Sequence, residues 1–190
     1  MVMVTEMRLR AAAEGGVRFN YRGHHRYMIT LPAAGPEVCL SEEKTVLAIL
    51  AALRESSRTH QFEVYAYCFL PDRLAIIVRG KSEESDMKKF LAAFRPASAA
   101  AVGRATGPLW ARRYQERVLR KTENTRTVAE EVFRLPVRAG IVTSPSAYQF
   151  QGSFVLPSEE TPRRAPRPPS RRPSGKRDIR GGSARKRRSP

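Results

Sequence analysis

Between residues 25 and 142 the apolar positions alternate between two periods, and each change of period marks a new element. "HRYMITLP" (25–32) carries Tyr27, Ile29 and Leu31 at every second place, the signature of a strand with one face buried. "SEEKTVLAILAALRESSR" (41–58) changes to helical spacing. Val46, Leu47, Ile49, Leu50 and Leu53 make one stripe, Ser41 is a candidate N-cap, and two glutamates fall in the first turn. "FEVYAYCFL" (62–70) is apolar almost throughout, as a strand covered on both faces is. Pro71-Asp72 supplies turn chemistry, and "RLAIIV" (73–78) returns as its antiparallel neighbour. "SDMKKFLAAF" (85–94) is a second amphipathic helix, which Pro96 is expected to kink or end, with "ASAAAVGRA" a possible short continuation. "PLWARRYQERVL" (108–119) is expected as a fourth strand. "TENTRTVAEEVFRL" (122–135) reads as a third helix capped by Thr122 and stopped at Pro136. The order β-α-β-β-α-β-α is an α/β (α+β) arrangement, the ferredoxin-like split βαβ sandwich: one antiparallel sheet with helices packed on one face.

Charge changes this picture at the ends. The chain has 190 residues and a formal net charge of +17. Residues 161–190 hold twelve Arg and Lys against Asp178, so +11 sits in the last thirty positions and +6 in the rest. That segment is poor in apolar residues and rich in Pro, Gly and Ser. It cannot bury enough surface to offset its ordering entropy and is expected to be disordered. Such a tail suits a polyanion, bound with salt-sensitive and sequence-blind affinity; a purely solubilising tail is the alternative. The expected organisation is a leader over 1–22, one domain over 23–155 and a basic tail over 156–190. Cys39 and Cys68 make neither a metal spacing nor a disulfide framework, which fits reduced thiols in a cytoplasmic setting. No run approaches the ~18 apolar residues of a membrane span, the N-terminal stretch lacks the apolar core of a signal peptide, and no internal repeat is evident.

Two places carry candidate chemistry. Arg73 opens an otherwise apolar strand and shares a face with Ala75, two residues on. In the 108–120 segment Arg112, Arg113, Arg117 and Arg120 interleave with Trp110 and Tyr114, a pattern able to follow phosphates and stack unpaired bases. A charged edge strand kept soluble is the other reading of that pattern.

Four short runs, in order, resemble one family over roughly residues 25–150. "LPDRLAIIV" stands where the family reads approximately "MPDHVHLLL". "GPLWARRYQERVL" is similar to "GPVWQRRY", "EVFRLPVRAGIV" to "YILENPVRAGLV", and "SPSAYQFQG" to "DPEDYPWSG". The chain thus resembles the HUH single-tyrosine transposases, in particular the REP-associated branch. The resemblance implies a bacterial, nucleoid-associated protein that acts on single-stranded or hairpin DNA, commonly as a homodimer. It also implies Mg or Mn held by two strand histidines, where the metal acts as a Lewis acid on the phosphodiester, and a helix tyrosine that attacks phosphorus.

This sequence departs from the family at each of those places. The histidine pair falls on Arg73, which cannot ligate a metal, and Ala75, which has no donor. The tyrosine falls on Glu131, or with an offset of one on Glu130 or Val132, and the family's Asn before the proline is Leu135. No cofactor is therefore expected. His24 and His25 are adjacent on an extended chain and point apart, His60 reads as a surface residue, and Tyr114 is a remote substitute nucleophile. The leading expectation is a DNA-binding relative that has lost cleavage, with Arg73 taking over a phosphate once neutralised by the metal and Arg138 as a further phosphate contact. An active enzyme with relocated residues, an RNA-binding protein on the same sheet and an inert product are the rivals.

Overall fold

The computed structural model describes residues 19–103 and 107–155. The leader, apart from 19–22, and the basic tail lie outside the described residues. Strands β1 (Arg26–Pro32), β2 (Phe62–Leu70), β3 (Arg73–Gly80), β4 (Gln115–Val118) and β5 (Gln151–Gly152) form one sheet in the order β4-β1-β3-β2-β5, with every neighbouring pair antiparallel. The helices are α1 (Glu43–Thr59), α2 (Met87–Val102), α3 (Thr125–Phe133) and the single turn α4 (Leu135–Arg138). This is the mixed α/β split βαβ arrangement that the order of periods implies.

The two faces of the sheet are covered by different helices. Tyr27, Ile29 and Leu31 of β1 and Leu74, Ile76 and Val78 of β3 point to one face. There they join Val46, Ile49 and Leu53 of α1 and Met87, Phe90, Leu91 and Phe94 of α2 in the larger core. The alternate residues Ala75 and Ile77 point to the other face and meet Val128, Ala129 and Val132 of α3. The expectation that the helices share one face therefore holds for α1 and α2 and is corrected for α3. Both faces of the β2–β3 hairpin are apolar, so both need a cover. The side chains under α3 are also small, Ala66, Cys68 and Ala75, which suits a helix that presents Val and Ala.

A bulge lets β2 serve both layers. Val64 pairs with Val78 and Ala66 with Ile77, so the register slips by one at Tyr65. Phe62 and Val64 face α1 and α2, whereas beyond the bulge Ala66, Cys68 and Leu70 face α3.

The helix termini differ in detail from the pattern. Glu42, not Ser41, is the N-cap of α1 and its side chain makes no capping bond, while the Ser41 hydroxyl lies 3.2 Å from Cys39 Sγ. Leu47 is 59% exposed, because the buried stripe runs through Val46, Ile49 and Leu53 and leaves it to one side. Asp86 caps α2 by accepting from the Lys88 and Lys89 amides at 3.0 and 3.1 Å. The helix then runs through Pro96 to Gly103, whose φ of 67° closes it in the left-handed region that favours glycine. Asn124, not Thr122, caps α3 by accepting from the Arg126 amide.

The expected strand over 108–119 shrinks to β4, with only an isolated bridge from Trp110 to Ala33 before it. Arg26 then fixes how the chain passes from β4 into α3. Its guanidinium donates to the carbonyls of Arg120 (2.6 Å) and Glu123 (2.8 Å) and to the Thr125 hydroxyl (2.6 Å), just before and inside the first turn of α3. Behind α3, the Tyr148 hydroxyl donates to the Phe69 carbonyl at 2.6 Å and seats the segment that ends in β5.

The two thiols should report on these layers. Burial under α3 pushes the Cys68 thiol up to about 12. The hydrogen bond with the Ser41 hydroxyl holds the exposed Cys39 thiol below its ordinary value. Only the thiolate is nucleophilic. At pH 8 a thiol alkylator followed by intact mass should modify Cys39 rapidly, and Cys68 only at the rate at which the α3 layer opens. Equal rates at the two sites in the native protein would contradict the buried placement.

Candidate nucleic-acid interface

One end of the sheet gathers three arginines. Arg73, the first residue of β3, pairs in register with Pro32, the last of β1. The Pro32 carbonyl accepts from the Ala111 amide at 2.9 Å, and the Ala33 amide donates to the Asp72 carbonyl at 2.8 Å. The β2–β3 turn, the end of β1 and the 110–113 segment are thus laced together. Arg73 and Arg112 stand two chain spacings apart, roughly 10 Å. Arg112 and Arg113 are exposed. Arg73 is about half exposed, and its Nε lies 3.3 Å from the more exposed Asp72 carboxylate, a solvent-facing pair of small energetic weight.

The other basic residues of the pattern are placed differently. Arg117 faces the α3 side and is ion-paired to Glu123. That guanidinium, followed by the Arg120 amide, holds the Glu123 carboxyl below the usual carboxylate range. The Arg120 main chain is fixed between Arg26 and Glu123, and its residue is exposed at the opposite end of the sheet from Arg73. Arg138 is exposed in α4, beside β2 rather than β1.

Trp110 corrects an expectation. It is 4% exposed, packs beside Phe94, and donates its indole N–H to the buried Ser98 hydroxyl at 2.8 Å. It has no free face for a base and is a core residue. Tyr114 is half-buried, and its hydroxyl accepts from Lys88 at 3.0 Å. Arg26, Lys88 and Arg95, which organise this region, were not singled out by the sequence pattern. The signal for Arg26 was a charge beginning a strand, as at Arg73, and for Arg95 its place beside a proline inside a helix.

At the positions where the resemblance places catalytic groups, Ala75 is 1% exposed within the apolar cluster beneath α3. Of Glu130, Glu131 and Val132, the two acids are exposed and only Val132 faces the sheet. The side chain aimed from α3 towards the Ala75 layer is therefore an aliphatic one. His24 lies near the Gly80 carbonyl and Glu83, whereas His25 packs at a tilt against Phe19 and edge-on against Tyr27, so the adjacent imidazoles diverge. His60 is the C-cap residue of α1. Among the described residues no three His, Cys, Asp or Glu side chains cluster as a metal site would need.

No protein-family model matches the chain, and no curated protein matches it by sequence. Among solved structures it is similar to a REP-associated tyrosine transposase bound to a REP hairpin, with a TM-score of 0.62 and 20% sequence identity over 73% of this chain and 82% of that one. The chain has the fold of that transposase. A looser match is a candidate transposase from Deinococcus radiodurans R1, with a TM-score of 0.44 and 20% identity over 62% of this chain and 93% of that one. With the transposase fold in place, the resemblance carried by residues 70–78 and 131–142 falls on β3 and on α3–α4, two elements that pack on each other.

Restoring one imidazole should be costly if the Ala75 layer is closed. Ala75→His would bury an unsatisfied polar ring and should lower stability by about 1–3 kcal/mol. Thermal unfolding should register that as a fall of roughly 3–10 °C in Tm. An unchanged Tm would mean that the position opens to solvent, as a working metal site must.

Proposed function

We propose that this chain is a relative of the HUH tyrosine transposases that binds hairpin or single-stranded DNA and does not cut it. The observation that carries this reading is the closed apolar layer at Ala75. Where the resemblance calls for an open pair of imidazoles, the side chains are Arg73 and buried Ala75, and where it calls for a phenol they are Glu131 or, with an offset of one, Glu130 or Val132. Neither Arg73 nor Ala75 ligates a metal, and none of the five is a phenol. Two carboxylates, Glu130 and Glu131, point away from that layer.

DNA as the partner draws support from the hairpin held by the structural neighbour of the same fold and from the arginines at one end of the sheet. Arg73 sits where a divalent ion would have screened a phosphate. A guanidinium offers bidentate donors to the same group without polarising its ester bond towards attack. Arg112 and Arg113, one strand further on, extend that positive edge. The basic tail adds sequence-blind attraction. An active enzyme with relocated residues has no favoured geometry among the described residues, since the divergent histidines give it no metal pair.

Binding to hairpin, single-stranded and duplex DNA over a salt series tests the reading. Arg73→Ala should weaken hairpin binding by roughly tenfold, well beyond the effect of removing one tail arginine such as Arg171. Equal losses from the two changes would reduce the sheet edge to general charge. A tail-only effect would show a steep salt slope and no preference for DNA form. A covalent protein–oligonucleotide adduct that forms only with Mn or Mg would overturn the loss of cleavage.

A further inference from the structure

The outer face of α1 differs from the arginine-rich end of the sheet in its charge. The buried stripe through Val46, Ile49 and Leu53 fixes the phase of the helix. At about 100° per residue, that phase turns Lys44, Leu47, Ala48, Ala51 and Glu55 away from the sheet. Ala48 is half-buried, and the other four are exposed. Leu47, at 59%, is the most exposed large apolar side chain among the described residues. It stands beside two alanines, so a leucine-sized knob and the room to receive one lie on the same helix. From Glu42 to Arg58 the charges cancel, with Glu42, Glu43 and Glu55 against Lys44, Arg54 and Arg58. In a chain of net charge +17 this is a neutral surface, and a second copy can approach it without the repulsion that the arginine-rich end presents.

The charges are also ordered along the helix. Glu42 and Glu43 stand at its start, and Arg54 and Arg58 near its end. A two-fold axis midway between Ala48 and Ala51 lays α1 antiparallel on its own copy. Lys44 then meets the partner's Glu55, and by symmetry Glu55 meets the partner's Lys44. Arg58 comes to the partner's Glu42, and Leu47 falls over the partner's Ala51. Glu55 holds Arg58 of its own helix through Oε1 at 3.0 Å, which keeps Oε2 for an incoming lysine. A slip of one residue would instead set Lys44 against the partner's Arg54 and Glu43 against the partner's Glu55. The charges therefore select a single register. The sheet borders offer no rival route to a paired copy, because β4 has four residues and β5 two.

We propose that the outer face of α1 pairs two copies of this chain antiparallel across a two-fold axis, with Leu47 at the contact and a Lys44–Glu55 pair at each end. The same patch serves both copies, so the contact closes on itself. The helix is about 26 Å long. The strip it offers lies at the low end of interface sizes, which makes the association weak, with a Kd in roughly the micromolar range. This pairing does not rest on the DNA-binding reading above. Salt sets it apart from copies bridged by a polyanion. Salt screens the repulsion between two chains of +17 beyond about 10 Å at 0.1 M and leaves the apolar contact in place, so it tightens the pair. A phosphate bridge weakens under the same change.

Sedimentation equilibrium of the nuclease-treated full chain, from about 5 to 500 µM and at about 0.1 and 0.5 M salt, tests this. The wild type should form a reversible dimer that tightens as salt rises. Lys44→Glu puts an acid in the first turn of α1 and Glu55→Lys a base towards its end. Both suit the helix dipole, so each variant should keep the wild-type Tm. Each substitution acts twice across the axis and should weaken dimerisation by about tenfold. The double variant Lys44→Glu, Glu55→Lys restores both pairs with reversed sign and should recover the wild-type affinity to within about threefold. Leu47→Lys, an exposed change that a helix tolerates, should weaken the dimer by at least about tenfold. A monomer at every concentration would overturn the proposal, as would single variants that dimerise like the wild type or a double variant no tighter than the singles. A dimer that dissolves as salt rises would also overturn it, since that is the behaviour of copies bridged by a polyanion.

Discussion

The β2–β3 hairpin is apolar on both faces, and that sets what the rest of the chain must do. Leu74, Ile76 and Val78 look one way and Ala75 and Ile77 the other, so the sheet centre loses water only if two layers of helix close over it. Fully burying a Val, Leu or Ile side chain is worth about 1.5–3 kcal/mol, so leaving either face open would forfeit much of the stability of a domain this size. The larger layer comes from α1 and α2, with their aromatic and branched side chains. The thinner one comes from α3, which is short and finds small residues beneath it. The bulge at Tyr65 divides β2 between these layers, and the Arg26 clamp determines where α3 begins.

The same constraint explains the candidate site. The metal ligands that the resemblance implies would stand in the thinner layer, close to solvent. Here that layer is closed by Ala75, Cys68 and Val132, and the polar Arg73 stands at its border. Arg73 lies at the strand end, where its guanidinium reaches water. Charge on β3 is confined to its two ends, at Arg73 and Arg79, where it can be carried without being buried, which answers why an apolar strand begins with arginine.

Much of the fold was legible because period follows burial. The two hairpin strands and β1 were bounded to within two residues, and the helices were recognised by their apolar stripes. Boundaries that depend on tertiary contacts were not legible. Trp110 looked like an exposed stacking residue because it lies among arginines. Ser98, its hydrogen-bond partner twelve residues earlier, was invisible as such until α2 ran on through Pro96. The place of α3 across the sheet was hidden too, since its Val128, Ala129 and Val132 stripe would suit either face. For the site, the residue types at 73 and 75 could be read directly, whereas that Val132 faces the sheet and Glu131 the solvent needed the helix phase.

The sheet ends in very little on either side. β4 is four residues long and carries Gln115, Glu116 and Arg117, and β5 is two residues long, with the chain from Phe150 to Phe154 bonding along β2. Neither border offers a neighbouring molecule a long row of vacant amides and carbonyls to zip onto. Concentrating these molecules along a nucleic acid would therefore bring them close without inviting runaway polymerisation into fibrils.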